Sequence, residues 1–141
     1  MEYSDILNNI ISVIKSCDSV VLATNDGQHP DARYVTNIIN RNTDNLELYF
    51  MTGADTPKYE QLDQNPNCAL YYYNDDTHMS VRLYGKMRFV DDISLKTKYW
   101  MPEFKAFGYC GPDDPQFILM RLVPMEYKFY IGTEIQTGKI N

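Results

Sequence analysis

Histidine is nearly absent from this 141-residue chain, and basic residues are outnumbered. The two histidines, His29 and His78, fall in turn-like stretches without a cysteine or acidic partner at ligand spacing, which argues against a metal site and against a Ser-His-Asp triad. Cys17, Cys68 and Cys110 are widely spaced and form no C-x-x-C pair, so neither a disulfide framework nor a zinc knuckle is signalled, and buried thiols are expected. Thirteen Lys and Arg against nineteen Asp and Glu give a net charge of -6, which disfavours nucleic acid and anionic membranes as partners. Any anion site must be built locally. No apolar stretch approaches the roughly 20 residues that span a bilayer. The N-terminus has no basic region followed by an apolar run, so a cytoplasmic location is expected. No strand is followed by G-x-G-x-x-G, and G-x-x-x-x-G-K-[ST] does not occur.

What is present is ordinary for a globular protein: 44% hydrophobic and 23% charged residues, with 12 tyrosines as the one excess. The length suits one domain over residues 1–141. Leu7, Ile10, Ile11, Ile14 and Cys17 recur at helical spacing, which predicts an amphipathic helix over the first seventeen residues with Ser4 as its cap. Strands are expected over Ser19 to Thr24, Asp31 to Ile39, Leu46 to Thr52 and Asn67 to Tyr73, with turns at Asn25-Asp26-Gly27 and from Arg41 to Asn45. From Met79 to Val90 apolar and polar residues alternate, and Gly85 at the centre predicts a bulge or bend that curls the sheet. Asp91-Asp92 opens a helix that runs to about Tyr99 or Trp100. A long strand from Gln116 to Ile131, bent at Pro124, comes last, and the final eight or so residues are expected to fray. Five or six mostly antiparallel strands with flanking helices describe a small barrel of the mainly β class.

The stretch Tyr49-Phe50-Met51-Thr52-Gly53-Ala54-Asp55-Thr56-Pro57-Lys58 carries the clearest chemical signal. A strand turns directly into a helix whose cap is Thr56 and whose first residue is Pro57, placing Lys58 beside backbone N–H groups that have no partner within the helix. Such a turn can hold a phosphate. It is equally a good helix start with a solvated lysine.

Three ordered motifs resemble the FMN-binding split barrels related to pyridoxamine 5'-phosphate oxidase. They are Ala23-Thr24-x-Asp26-Gly27-x-x-Pro30-x-x-Arg33-x-Val35, Leu48-Tyr49-Phe50-x-Thr52-x-x-x-Thr56-x-Lys58, and Val81-x-Leu83-x-Gly85-Lys86. Farther on, Tyr99-Trp100, Gly111-Pro112-Asp113-Asp114-Pro115 and Leu119-x-Arg121-Leu122-x-Pro124-x-x-Tyr127 resemble the small general-stress-protein branch. The resemblance covers roughly residues 5 to 131. It implies a homodimer with FMN in the groove between subunits. By the same resemblance Arg33 meets the phosphate, and the backbone of Tyr34, Val35 and Thr36 faces the flavin ring. Thr52 and Thr56 supply hydroxyls near the phosphate and ribityl chain, Lys58 is the basic residue of the turn, and Arg82 approaches the cofactor across the dimer. Trp100 either stacks near the isoalloxazine of the partner's site or packs in the core or the subunit contact.

The implied function is a small oxidoreductase moving electrons or hydride between a reduced donor such as NAD(P)H and a small acceptor. Alternatives are a flavin-binding, redox or stress-response protein without rapid turnover, and the same barrel holding haem or a deazaflavin. No catalytic acid or base is placed by motif. Only eleven residues follow Tyr130, none of them Arg or His, so pyridoxamine 5'-phosphate oxidase activity itself is not expected.

Overall fold

The structure, a computed structural model, describes residues 2–38 and 45–141. Helix α1 (Tyr3–Lys15) is followed by strands β1 (Ser19–Asn25), β2 (Pro30–Thr36) and β3 (Leu48–Gly53). Helix α2 (Pro57–Gln64) then leads to β4 (Asn67–Tyr73) and β5 (Ser80–Val90). Helix α3 (Ile93–Tyr99) and a 3-10 segment (Pro102–Phe107) precede β6 (Phe117–Ile131) and β7 (Glu134–Lys139). The expected end of the second strand at Ile39 and most of the polar turn from Arg41 lie outside the described residues.

All strand pairings are antiparallel, in the order β2-β1-β4-β5-β6-β3, with β7 added on β6. Ile38, just past β2, bridges Tyr49 in β3 and so brings the two ends of that order together into a barrel. The inner faces of the strands supply Leu22, Phe50, Leu70, Val81, Leu83, Leu122 and Phe129, all fully buried. Ile6, Ile10, Val13 and Ile14 of α1 complete this core. A second cluster of Tyr49, Tyr99, Phe104, Phe117 and Leu119 sits where α3 and the 3-10 segment cover β3 and β6.

Gly85 produces the expected irregularity: the β5–β6 register shifts between Tyr84 and Gly85. A Cβ on Gly85 would collide with the Val123 carbonyl oxygen and lie 3.0 Å from Pro124 Cα. The strand can therefore cross β6 here only without a side chain.

Four expectations are corrected. Ser4 does not cap α1; Glu2 holds the N-cap position without a side-chain bond. The C-terminal residues are not frayed but form β7, paired from Glu134↔Ile131 to Lys139↔Glu126. Gly132 makes the hairpin turn possible, because its φ of 60° is accessible to glycine at no steric cost. Among the described residues the sheet accordingly has seven strands rather than five or six. Finally, of the three thiols only Cys68 is buried, which pushes its pKa up to about 12, whereas Cys17 is half-buried and Cys110 exposed.

Candidate functional site

The register of β1 against β2 sets Arg33 opposite Leu22, with its guanidinium turned towards α2. Its Nη1 donates to the Leu22 carbonyl at 3.1 Å and to Thr24 Oγ1 at 2.8 Å. Its Nη2 donates to Gln61 Oε1 at 3.2 Å and pairs with Asp31 Oδ2 at 2.9 Å. Gln61 in turn donates from Nε2 to Asp31 Oδ2 at 3.0 Å and accepts from the Thr24 hydroxyl. The Gln61 amide and then the Arg33 charge hold the Asp31 carboxyl below the usual aspartate range.

Helix α2 is the element that assembles this cluster. Thr56 caps it by accepting from the Tyr59 amide at 3.4 Å, and Pro57 follows at the first helical position. Thr56 Oγ1 also donates to the Gly53 carbonyl at 2.8 Å and lies 2.8 Å from Thr52 Oγ1, so both hydroxyls are engaged within the turn. One turn of helix then separates Lys58 from Gln61 and puts the ammonium within electrostatic reach of Arg33. Burial first, and the Arg33 charge second, hold Lys58 below the usual lysine range. Among the described residues no acidic group pairs with Lys58.

The remaining expected positions fall into other environments. Val35 shares the inward face with Arg33 and is 6% exposed, its side chain part of the core. Thr36 and Trp100 meet at a cavity of about 670 Å³ whose walls include Cys17, Asn37, Lys98 and Tyr99. Trp100 also packs edge-on against Phe104 and Phe117, at ring separations of 5.6 and 5.1 Å, so its core role and its cavity-lining position coexist. Asn37 ties this wall to α1 by donating from Nδ2 to the Ile14 and Cys17 carbonyls.

Tyr34 and Arg82 point to the outer surface of the sheet. Strand register aligns Tyr34, Val21, Tyr71, Arg82 and Lys128 in one row. Arg82 lies over the rings of Tyr71 and Tyr130, at 5.8 and 5.3 Å, rather than beside Arg33. Tyr34 is 76% exposed, and with Val21, Tyr71 and Tyr73 it lines a shallow hollow on this face. Within the chain the expected residues thus form three groups on and around β2, not one pocket.

Neither histidine belongs to any of these groups. His29 lies 3.6 Å from Asp26 at the first turn and His78 Nδ1 is 2.7 Å from the Tyr73 hydroxyl. Among the described residues no three His, Cys, Asp or Glu side chains gather as a metal site, and no helix is long and apolar enough to cross a membrane. Asp31 and Gln61 were not singled out from the sequence as site residues, and Thr24 entered only as part of a motif. The signal for them is geometric, since only the β1–β2 register and the start of α2 bring the three to Arg33.

Comparison with known proteins places this geometry in context. A family model described as pyridoxamine 5'-phosphate oxidase like matches residues 5–135. General stress protein 26 of Bacillus subtilis (strain 168) is 26% identical over 133 residues, covering 91% of this chain and 90% of that protein. A crystal structure of a related protein from Clostridium acetobutylicum superposes with a TM-score of 0.84 at 19% identity, covering 99% of this chain and 97% of the other. A pyridoxamine 5'-phosphate oxidase-related, FMN binding protein from Nostoc punctiforme PCC 73102 gives 0.67 at 18% identity, covering 100% and 97%. A heme binding protein from Mycobacterium smegmatis shares the fold as well, with 0.76 at 13% identity, covering 99% of this chain and 59% of that one. The fold therefore serves more than one cofactor.

Proposed function

Because the chain belongs to the pyridoxamine 5'-phosphate oxidase-like family, we propose that it binds FMN as a homodimer and works as a small oxidoreductase. It would pass electrons or hydride from a donor such as NAD(P)H to a small acceptor. One observation carries the cofactor assignment: Lys58 is half-buried, electrostatically opposed by Arg33 and unpaired with any acid among the described residues. An anion between the two cations relieves both penalties, and a phosphate monoester supplies the charge and the oxygens that an arginine fork accepts.

Arg33 and Lys58 hold the phosphate in this reading. Thr52 and Thr56 fix the turn that aims Lys58, and the backbone from Tyr34 to Thr36 leads along β2 towards the cavity beside Trp100. Tyr99 and Trp100 on one wall of that cavity offer aromatic surface against which a bound ring can pack. When bound, the flavin supplies the redox chemistry; the chain supplies position and electrostatics. Haem is the alternative ligand of this cavity: neither histidine lines it, but Cys17, Tyr99 and Met101 do.

A second copy of the chain is the partner that the outer face suits. Tyr34, Tyr71, Tyr73 and Val21 expose apolar and aromatic surface, with Arg82 at its edge. Replacing Tyr34 by Glu is expected to shift the protein from dimer to monomer in sedimentation velocity and to weaken FMN binding in parallel. A dimer that persists in the variant removes this face from the interface.

Binding should also depend on pH with a definite sign. Lys58 has a depressed pKa in the free protein, and a bound phosphate raises it. Binding then takes up protons between the free and the bound Lys58 pKa, so FMN affinity falls as pH rises through the free-protein Lys58 pKa. Fluorescence titrations across that range measure the slope, and an affinity that rises with alkalinity contradicts the assignment. The redox part is tested by anaerobic addition of NADH or NADPH to the FMN-loaded protein. Bleaching of the flavin band followed by reoxidation with an added acceptor is expected, whereas an inert flavin favours a binding protein without turnover.

A further inference from the structure

All four terminal N–H bonds of the Arg33 guanidinium are already in use. Nη1 serves the Leu22 carbonyl and Thr24 Oγ1, while Nη2 serves Gln61 Oε1 and Asp31 Oδ2. A phosphate cannot take a fork-like grip on this arginine without displacing at least one of these acceptors.

The four acceptors differ in how easily they leave. Leu22 O belongs to a strand backbone and cannot move without breaking the β1–β2 ladder. Thr24 is 5% exposed, and its hydroxyl also bonds Gln61. Gln61 is pinned from both sides, by Thr24 and by Asp31. The Asp31 side chain, by contrast, is 45% exposed and sits on β2 at the edge of the cluster. Turning it into water costs little desolvation, and its carboxylate is the one acceptor whose charge an arriving anion opposes.

We propose that Asp31 is a displaceable internal anion: its carboxylate holds Nη2 of Arg33 while the site is free and is exchanged for a phosphate group when the ligand binds. The exchange rests on the phosphate reading given above. It has two consequences for this chain. In the free protein Asp31 offsets part of the repulsion between Arg33 and Lys58, which keeps the two cations together. In the liganded protein only an anion of higher charge than a carboxylate profits from the exchange, so dianionic phosphate monoesters are selected over carboxylates of similar size. Asp31 is a specificity-determining residue here, not a catalytic one.

The test uses two probes on three full-length proteins. FMN and inorganic phosphate are titrated into the wild type, Asp31→Asn and Asp31→Ser, with riboflavin as the control that lacks the phosphate. Asp31→Asn keeps the shape and an oxygen acceptor for Gln61; Asp31→Ser draws the acceptor oxygen back towards the backbone, which separates charge from position. If the carboxylate competes with the ligand, both variants bind FMN about tenfold more tightly at low salt, on the usual size of a partly screened charge interaction. They also gain more thermal stability from inorganic phosphate than the wild type does, and riboflavin binding is unchanged. Equal or weaker FMN binding in both variants overturns the exchange and makes Asp31 an orienting partner of Arg33 instead. If FMN fails to bind while inorganic phosphate still stabilises both variants more than the wild type, the cofactor reading falls and the exchange stands. If neither probe distinguishes the variants from the wild type, the exchange falls whatever the cofactor.

Discussion

Removing both cations, as Arg33→Ala with Lys58→Ala, is expected to lower FMN affinity by about 3 to 6 kcal/mol, on roughly 1.5 to 3 for each hydrogen bond to a charged group. The two single variants should divide this loss differently from their effects on the empty protein. Arg33 donates to Leu22 O, Thr24 and Gln61 and pairs with Asp31, so its removal takes one interaction from each of these groups and lowers folding stability as well. Among the described residues Lys58 has no acidic partner, and it is opposed by Arg33, so Lys58→Ala weakens FMN binding with stability unchanged or slightly improved. That pairing of lost affinity with retained stability is the mark of a ligand-binding residue. Arg33→Lys adds a further distinction, because it keeps the charge but not the fork, and is expected to recover only part of the affinity. Isothermal titration with parallel urea unfolding measures both quantities. An unchanged affinity in the double variant would take the phosphate away from this cluster.

Gly85→Ala carries the largest expected loss of stability from a single methyl group, about 2 to 4 kcal/mol, at the upper end of what overpacking costs. The group in the way is not a flexible side chain. The added Cβ meets the Val123 carbonyl and the backbone of Pro124, and neither can shift without dragging the β5–β6 ladder that spans Ser80 to Val90. The bulge between Tyr84 and Gly85 is where the two longest strands bend, so relaxation there loosens the curvature that brings β2 and β3 together at Ile38 and Tyr49. A fall in the urea midpoint at constant slope is the expected reading. A midpoint equal to that of the wild type would mean that the close approach of β5 and β6 is not a constraint.

Gly85 and the start of α2 were both legible in the sequence, for physical reasons that also explain what was not. Gly85 interrupts a strict alternation of apolar and polar residues, so its anomaly stood out locally, and the structure places the shift at that residue. Thr56-Pro57 announces a helix start through side-chain chemistry alone, and α2 begins there. Asn67 to Tyr73 has sharp boundaries at Pro66 and Asn74, and β4 has those limits. Strand β7 gave no such signal: five of its residues are polar or glycine, and it lies on the edge of the sheet with little burial. Its pairing depends on the turn at Gly132 and on β6 already being in place, information that periodicity does not hold. The Asp31, Thr24 and Gln61 contacts escaped for a related reason. They converge on Arg33 from three elements up to 37 residues apart, and only the folded register brings them together. The separation of Tyr34 from its neighbours Arg33 and Val35 is likewise a consequence of strand alternation, which sends neighbours on β2 to opposite faces.

The most direct test of the central claim is a pair of equilibrium titrations of the wild-type protein, one with FMN and one with riboflavin, followed by quenching of flavin fluorescence. The two ligands share the ring and the ribityl chain and differ only in the phosphate. An anion site at Arg33 and Lys58 predicts saturation at one FMN per chain and riboflavin binding weaker by at least about a hundredfold, the equivalent of roughly 3 kcal/mol. Riboflavin binding as tight as FMN, or no binding of either, contradicts it.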